Sequence, residues 1–334
     1  MTQTSTSRIA IDKLEQEILK GNRAALGRAI TLAESSLREH RLQAEELSAR
    51  LLGNTGRSLR IAVSGIPGAG KSTFIERFGM ELIHSGHRVA VLAIDPSSVR
   101  TGGSILGDKT RMQNLAACEH AFVRPSPTGG NLGGVAKRTR ESLLLCEAAG
   151  FDLIIIETVG VGQSETAAAE LADIFLLLAV PGTGDELQGI KRGILEIADI
   201  VAVNKTDGHT EASALKAAAE IRSALHILKA SDQSEPPVLN TSGLTGKGLD
   251  ELIKAIFQID QAQKSTGGRF EKRAKQNTAW LWEELRLQAF EEIKAHPNFK
   301  TSLCAIEQAV AQGKLSAAAA SRKIIRQCLK EHVE

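Results

Sequence analysis

Seven short apolar runs between residues 59 and 242 limit what this chain can fold into. They are LRIAVSG (59–65), RVAVLAID (88–95), AFVRPS (121–126), FDLIIIET (151–158), DIFLLLAV (173–180), DIVAVNK (199–205) and PVLNTS (237–242). Runs of Leu, Ile and Val with little polar alternation read as strands covered on both faces. Helix-patterned stretches lie between most of them, and that alternation builds a parallel sheet with helices on each side. The sequence therefore predicts an α/β fold with a doubly wound, mostly parallel sheet over residues 57–263. Residues 1–56 form a helical extension, with Ile, Leu and Ala at three- and four-residue spacing in AIDKLEQEILKGNRAALGRAITLAE. KSTGGRFEKR reads as a polar, glycine-containing break near 264–273, after which the chain turns helical again to the end, so residues 264–334 are expected to form a C-terminal helical arm.

The C-terminal segment holds 13 Lys and Arg against 8 Glu and no Asp, which reads as the solvated face of a helical arm. A formal net charge of +2 gives no ground for a nucleic-acid partner. Aromatics are 3% and tyrosine is absent, so aliphatic side chains must fill the core. No apolar stretch reaches the ~18 residues of a membrane span. The start, MTQTSTSRIAIDKLEQ, has neither the apolar core of a secretory signal nor the acid-poor composition of a transit peptide. Cys118, Cys146, Cys304 and Cys328 show no C-x-x-C spacing and read as free thiols of a reducing, cytoplasmic compartment.

The first strand runs directly into GIPGAGKST, comprising Gly65, Ile66, Pro67, Gly68, Ala69, Gly70, Lys71, Ser72 and Thr73. This fits G-x-x-x-x-G-K-[ST] in the strand–loop–helix setting that the motif needs. Its glycines let successive backbone N–H groups turn inward around phosphate oxygens. Lys71 brings a mobile positive charge for the β- and γ-phosphates, Ser72 a hydroxyl for magnesium, and the helix start its dipole.

In a doubly wound sheet, neighbouring strands deliver their C-terminal ends to the same crevice. Two of those ends carry acids, Asp95 in LAIDPSS and Glu157 in IIIETVG. A bare carboxylate closing a buried strand is costly unless paired. Magnesium provides the pairing, so Asp95 and Glu157 are expected to hold the ion or one of its waters. Asp108, in GGSILGDKTRM, lies in a loop that can close over the same ion. Lys71, Glu157 and Asp95 are the residues expected to carry catalysis.

VAVNKTDG places N-K-x-D, at Asn204, Lys205 and Asp207, on a further strand end. A carboxylate here accepts from the ring N–H and exocyclic amine of guanine together. Adenine offers neither donor at those positions, and such pairing can discriminate by about 10⁴-fold. Lys205 can lie along the base and Asn204 can brace the loop. Ser242, Gly243 and Leu244 of NTSGL can supply backbone contact to the guanine carbonyl. Small GTPases carry a water-orienting glutamine just after the D-x-x-G glycine. Here the stretch reads E-T-V-G-V, with Val161 in that place and Gln163 displaced. Slow turnover, raised when a partner orders the site, is the expectation.

Together, GIPGAGKST, AIDPSSVRTGGSILGDKTRM, RPSPTGGNLGGVAKRTRE, IIIETVGVGQSE, PGTGDELQGIKRGILEIAD and VNKTDG resemble the MeaB/ArgK-type GTPases, the methylmalonyl-CoA mutase-associated family related to metallocentre-assembly GTPases. The resemblance implies a chaperone of an adenosylcobalamin-dependent acyl-CoA mutase, which uses GTP to gate cofactor loading and to protect the mutase. Cobalamin would then be met only through that partner. It implies a homodimer made by the C-terminal helical arm. It also implies that Ser72, Asp95, Asp108 and Glu157 surround magnesium, and that Asp185, Gln188 and Lys191 belong to a third switch. Three rival readings stand beside it, one of them a guanine-nucleotide-dependent scaffold that scarcely turns over, against which the intact Lys71, Ser72 and Glu157 argue. A kinase linked to basic amino-acid transport would need an acceptor base and an arginine-bearing lid, and the sequence points to neither. A metal-insertion GTPase would need a His/Cys cluster, and only His84 and His87 lie close together among the eight histidines.

Overall fold

The computed structural model describes residues 2–35, 37–94, 112–125, 132–158, 164–181, 192–228 and 235–329. The chain divides into two compact units, Met1–Arg273 and Ala274–Glu334.

The first unit is built on one seven-stranded sheet, and all of its ladders are parallel. The strands are β1 (Leu59–Ser64), β2 (Val89–Ile94), β3 (Ala121–Arg124), β4 (Leu153–Thr158), β5 (Ile174–Ala179), β6 (Ile200–Val203) and β7 (Val238–Asn240). Their spatial order is β3-β2-β4-β1-β5-β6-β7. All seven expected strands form, each shorter than its apolar run by a residue or more. Most of the trimmed residues among the described ones are flanking polar, glycine and proline positions, with Phe151 and Val180 the apolar exceptions.

Side chains alternate across the pleat. Leu59, Ile61, Val63, Leu153, Ile155, Ile174 and Leu176 share one buried cluster with Phe74, Ile75, Phe78 and Leu82. The last four line the inner face of the helix Lys71–His84, and Leu249, Leu252 and Ile256 of the helix Leu249–Ser265 join them. Phe74 and Phe78 stack with ring centroids 5.5 Å apart. The alternate strand residues Ala62, Ile154, Ile156, Phe175 and Leu177 are also buried, on the face where the helices Leu132–Ala148 and Ser164–Ala169 pack. With both faces covered, the runs had to be apolar throughout.

The N-terminal helices belong to this unit. Asn22 caps Arg23–Glu34, its Oδ1 accepting from the N–H groups of Ala24 at 3.0 Å and Ala25 at 3.1 Å. That helix buries Ala25, Leu26, Ala29, Ile30 and Ala33, and packs on Leu132–Ala148 and Arg38–Leu51. Arg124 of the edge strand pairs with its Glu34.

Buried ion pairs gather at the N-terminal ends of β1 and β5. Arg60 Nε meets Glu147 Oε1 at 2.9 Å. Arg273 holds Asp173 with Nε on Oδ1 and Nη2 on Oδ2, both at 2.7 Å, and Arg269 pairs with Asp260 at 2.7 Å. The polar stretch 264–273 is not a ten-residue break. Leu249–Ser265 ends and Gly268–Ala295 begins around Thr266 and Gly267, with Gly267 at φ +75°, so Arg269 and Arg273 are helical. Their polarity serves these ion pairs rather than a loop.

The second unit contains the helices Pro297–Ala311 and Ala317–Leu329, packed on one another around Ile306, Ala320 and Cys328. His296 caps the first of these, its Nδ1 accepting from the Asn298 N–H at 3.2 Å, and Pro297 stands where no helical N–H is needed.

Candidate functional site

The central strands place the site at their C-terminal ends. β1 pairs with β4 on one side and β5 on the other, and Val63 stands opposite Glu157. Residues 65–70 therefore leave the sheet beside Glu157. Ser64 and Thr158 tie these strand ends together through a buried hydroxyl pair, Thr158 Oγ1 donating to Ser64 Oγ at 2.9 Å.

The loop needs its glycines for two different reasons. Gly68 at φ +83° and Gly70 at φ +82° lie in the left-handed region, where a side chain would strain the backbone. A Cβ on Gly65 would sit 2.3 Å from the carbonyl oxygen of Leu178, so only glycine lets the loop turn this close to β5. Helix Lys71–His84 opens directly from Gly70. Lys71 is buried, and its ammonium donates to the carbonyls of Gly65 at 2.7 Å and Ile66 at 3.1 Å. Burial lowers its pKa below the ordinary lysine value, while Glu157 and Glu165 oppose that lowering.

The carboxylate that closes β4 meets the loop. Ser72 Oγ donates to Glu157 Oε1 at 3.0 Å, and Glu157 is buried. A hydroxyl and a carboxylate form an all-oxygen donor set that suits a hard cation. Two neighbouring positions of an octahedral magnesium shell lie about 3.0 Å apart. The pair therefore fits magnesium, with either oxygen able to bind the ion or a water on it. Asp95 and Asp108 lie outside the described residues, as do Asp185, Gln188 and Lys191.

Asn204 joins three loops. Its Nδ2 donates to the Ala69 carbonyl at 2.9 Å, and its Oδ1 accepts from the Gly243 N–H at 2.8 Å. Lys205 crosses to the phosphate loop as well, its ammonium donating to the Gly68 carbonyl at 2.9 Å. Among the described residues it is the one non-glycine at positive φ, +63°. Thr206 fixes the turn from below, its N–H and Oγ1 both donating to the Thr241 carbonyl at 3.1 and 2.8 Å. Asp207 follows, half-buried, its backbone carbonyl accepting from Thr210 Oγ1 at 2.8 Å. Ser242 Oγ accepts from the Thr245 N–H at 3.1 Å, and Leu244 is exposed. Gly243 lies tight against the P-loop helix, where a Cβ would come 2.7 Å from Phe74 Cα.

The structure thus brings Gly65–Thr73, Glu157, Asn204, Lys205 and the Ser242–Gly243 turn into one constellation around the ends of β1, β4, β6 and β7. The two close histidines have other partners. His87 meets Asp152 at 2.6 Å and stacks on Phe257, while His84 lies beside Glu81. Sequence reasoning missed Ser64, Thr158 and Thr206, whose hydroxyls brace the site from within. For Ser64 and Thr158 a buried-strand pattern ending in Ser or Thr was the signal, whereas Thr206 lies in the turn after β6 at the variable position of N-K-x-D.

A parallel sheet with a phosphate loop, a hydroxyl–carboxylate pair beneath it and a guanine-type N-K-x-D turn braced against it defines a P-loop GTPase. Residues 26–298 match the model of the methylmalonyl-CoA mutase-associated GTPase MeaB, and the chain belongs to that family. It is 52% identical over 316 residues to a GTPase of Caulobacter vibrioides described as putative, covering 94% of this chain and 97% of that one. It is 43% identical to the mitochondrial methylmalonic aciduria type A homolog of Mus musculus, covering 96% of this chain and 80% of that protein. The crystal structure of a LAO/AO transport system kinase has the same fold, with a TM-score of 0.73 at 36% identity, covering 95% of this chain and 97% of the other.

Proposed function

We propose that this GTPase is a magnesium-dependent chaperone of an adenosylcobalamin-dependent acyl-CoA mutase of the methylmalonyl-CoA mutase type. The family match across 26–298 carries the reading, because it takes in both the phosphate loop and the guanine turn. The name of the mouse relative points the same way. GTP plus water gives GDP plus phosphate, slowly in the chain alone and faster with the mutase bound.

Gly65 to Thr73 hold the phosphates, and Lys71 leaves the Gly65 and Ile66 carbonyls to meet the β- and γ-oxygens. Ser72 and Glu157, with Asp95 and Asp108, hold magnesium directly or through water. The ion supplies charge neutralisation between the phosphates. Asp207 selects guanine, and Asn204 and Lys205 keep its turn against the loop, with Ser242, Gly243 and Leu244 closing the base pocket. Asp185, Gln188 and Lys191 couple nucleotide state to the mutase. Cobalamin is handled in the partner. The protein acts in the cytoplasm, where Cys118, Cys146, Cys304 and Cys328 stay reduced, as free thiols. Two copies join through the C-terminal arm. Leu281, Trp282, Leu285 and Phe290, all exposed on the helix Gly268–Ala295, support that reading.

The test is co-sedimentation of the purified chain with candidate mutases in GDP and in a non-hydrolysable GTP analogue. A complex whose affinity changes with nucleotide is expected. A chain that binds no such mutase in either state contradicts the chaperone reading.

A further inference from the structure

The side chain of Asp207 makes no bond to the turn it opens, since it does not cap the short helix Gly208–Thr210. Its place is set through its backbone. On one side the Asp207 carbonyl accepts from Thr210 Oγ1 at 2.8 Å, and the same hydroxyl reaches the Lys205 carbonyl. On the other side stands Thr206, 2% exposed. Its N–H and Oγ1 converge on one oxygen, the Thr241 carbonyl, at 3.1 and 2.8 Å. Thr241 is buried and held in turn, its N–H donating to the Val203 carbonyl at 2.7 Å where β6 ends. The residues that follow, Ser242 and Gly243, form the turn whose Gly243 N–H is held by Asn204.

Lys205 precedes Thr206 with a left-handed backbone, φ +63°. A residue with a side chain stays in that region only where its surroundings hold it there. Thr206 supplies such a hold directly after it. Its N–H is what any residue but proline would bring. The hydroxyl is particular to this chain, because N-K-x-D leaves the third position open and threonine fills it with a second buried donor. A carboxylate that accepts two donors of one base must lie in the plane of both, so a small tilt of its turn weakens the pair.

We propose that Thr206 is a positioning residue for base selection. Its buried hydroxyl, bonded to the Thr241 carbonyl, locks the N-K-x-D turn to the turn 241–244 and so aims the Asp207 carboxylate at guanine. The inference rests on the GTPase reading and deepens it at the open position of the guanine motif.

The test measures GTP, inosine triphosphate and ATP affinities of the full-length protein by titration calorimetry with magnesium. Inosine triphosphate lacks the exocyclic amine, so the ratio of GTP to inosine triphosphate affinity reads how well Asp207 meets that amine. Thr206→Val keeps the branched shape and the N–H but removes the hydroxyl. It should lower this ratio about three- to tenfold, the scale of one net hydrogen bond. Thr206→Ser keeps the hydroxyl and should hold the ratio within about twofold of wild type. A merely structural role would lower the melting temperature or weaken all three nucleotides alike, leaving the ratio unchanged. A wild-type ratio in folded Thr206→Val therefore overturns the proposal. If that variant does not fold, a wild-type ratio in Thr206→Ala does so instead. Thr206→Ser losing the ratio as fully as Thr206→Val overturns it as well. Wild type failing to prefer GTP over ATP would overturn the guanine reading itself, a result separate from any change at Thr206.

Discussion

Ser72 Oγ donates to Glu157 Oε1 across 3.0 Å, joining the first turn of the P-loop helix to the end of β4. The acid that ends a run of buried isoleucines thus faces the phosphate loop, and the serine behind the lysine reaches it. Ser72→Ala removes the hydroxyl and leaves the carboxylate. GTP turnover should fall by about 10²-fold or more, as for other lost groups that stabilise developing charge. A magnesium titration of the initial rate checks this, with the variant needing more metal for half-activity.

Asn204→Ala should weaken GTP and GDP together. The side chain bridges the Ala69 carbonyl and the Gly243 N–H, and it is buried. Each buried group left unpaired costs about 1–3 kcal/mol. Affinity for both nucleotides should drop tenfold or more, with their ratio little changed, as read by calorimetry.

Asp207→Asn should erode base selection while sparing the phosphate contacts. An amide cannot accept from both guanine donors as a carboxylate does. Competition between GTP and ATP checks this, and the preference for GTP should fall by orders of magnitude.

Asp173 reports on the other pole of the sheet. Burial pushes its pKa up, but the Arg273 hydrogen bonds, the charges of Arg273 and Arg269 and the Arg60 N–H outweigh burial and hold it below the ordinary aspartate value. A depressed folded pKa gives stability that is present above the unfolded value, about 3.9. That stability is lost as pH falls through the folded value. Asp173→Asn leaves the buried Arg273 without its carboxylate and should cost about 3–5 kcal/mol at neutral pH. Denaturant melts should show this cost shrinking between about pH 4 and lower pH, where wild type loses the same charge.

The sheet was legible because burial on both faces demands apolar runs, and the P-loop because its glycines and lysine have few other uses in that setting. Strand ends were less so, since the last residue of an apolar run can leave the ladder without changing the pattern. The helical course of Arg269 and Arg273 was hidden, because arginines beside glycines look like a loop until Asp173 and Asp260 are seen opposite them. Glu165 was hidden for a similar reason. A glutamate at a helix start ordinarily meets solvent and the helix dipole, and only the packing of Ser164–Ala169 on the sheet buries this one. The left-handed backbone of Lys205 is equally silent in sequence, as it follows from the turn that brings the ammonium to Gly68.

Steady-state GTP hydrolysis, measured for the purified chain alone and with saturating adenosylcobalamin-dependent acyl-CoA mutase from the same organism, tests the account most directly. A slow, Lys71-dependent rate that rises clearly on adding the mutase is the predicted result. A rate that no such mutase changes would contradict it.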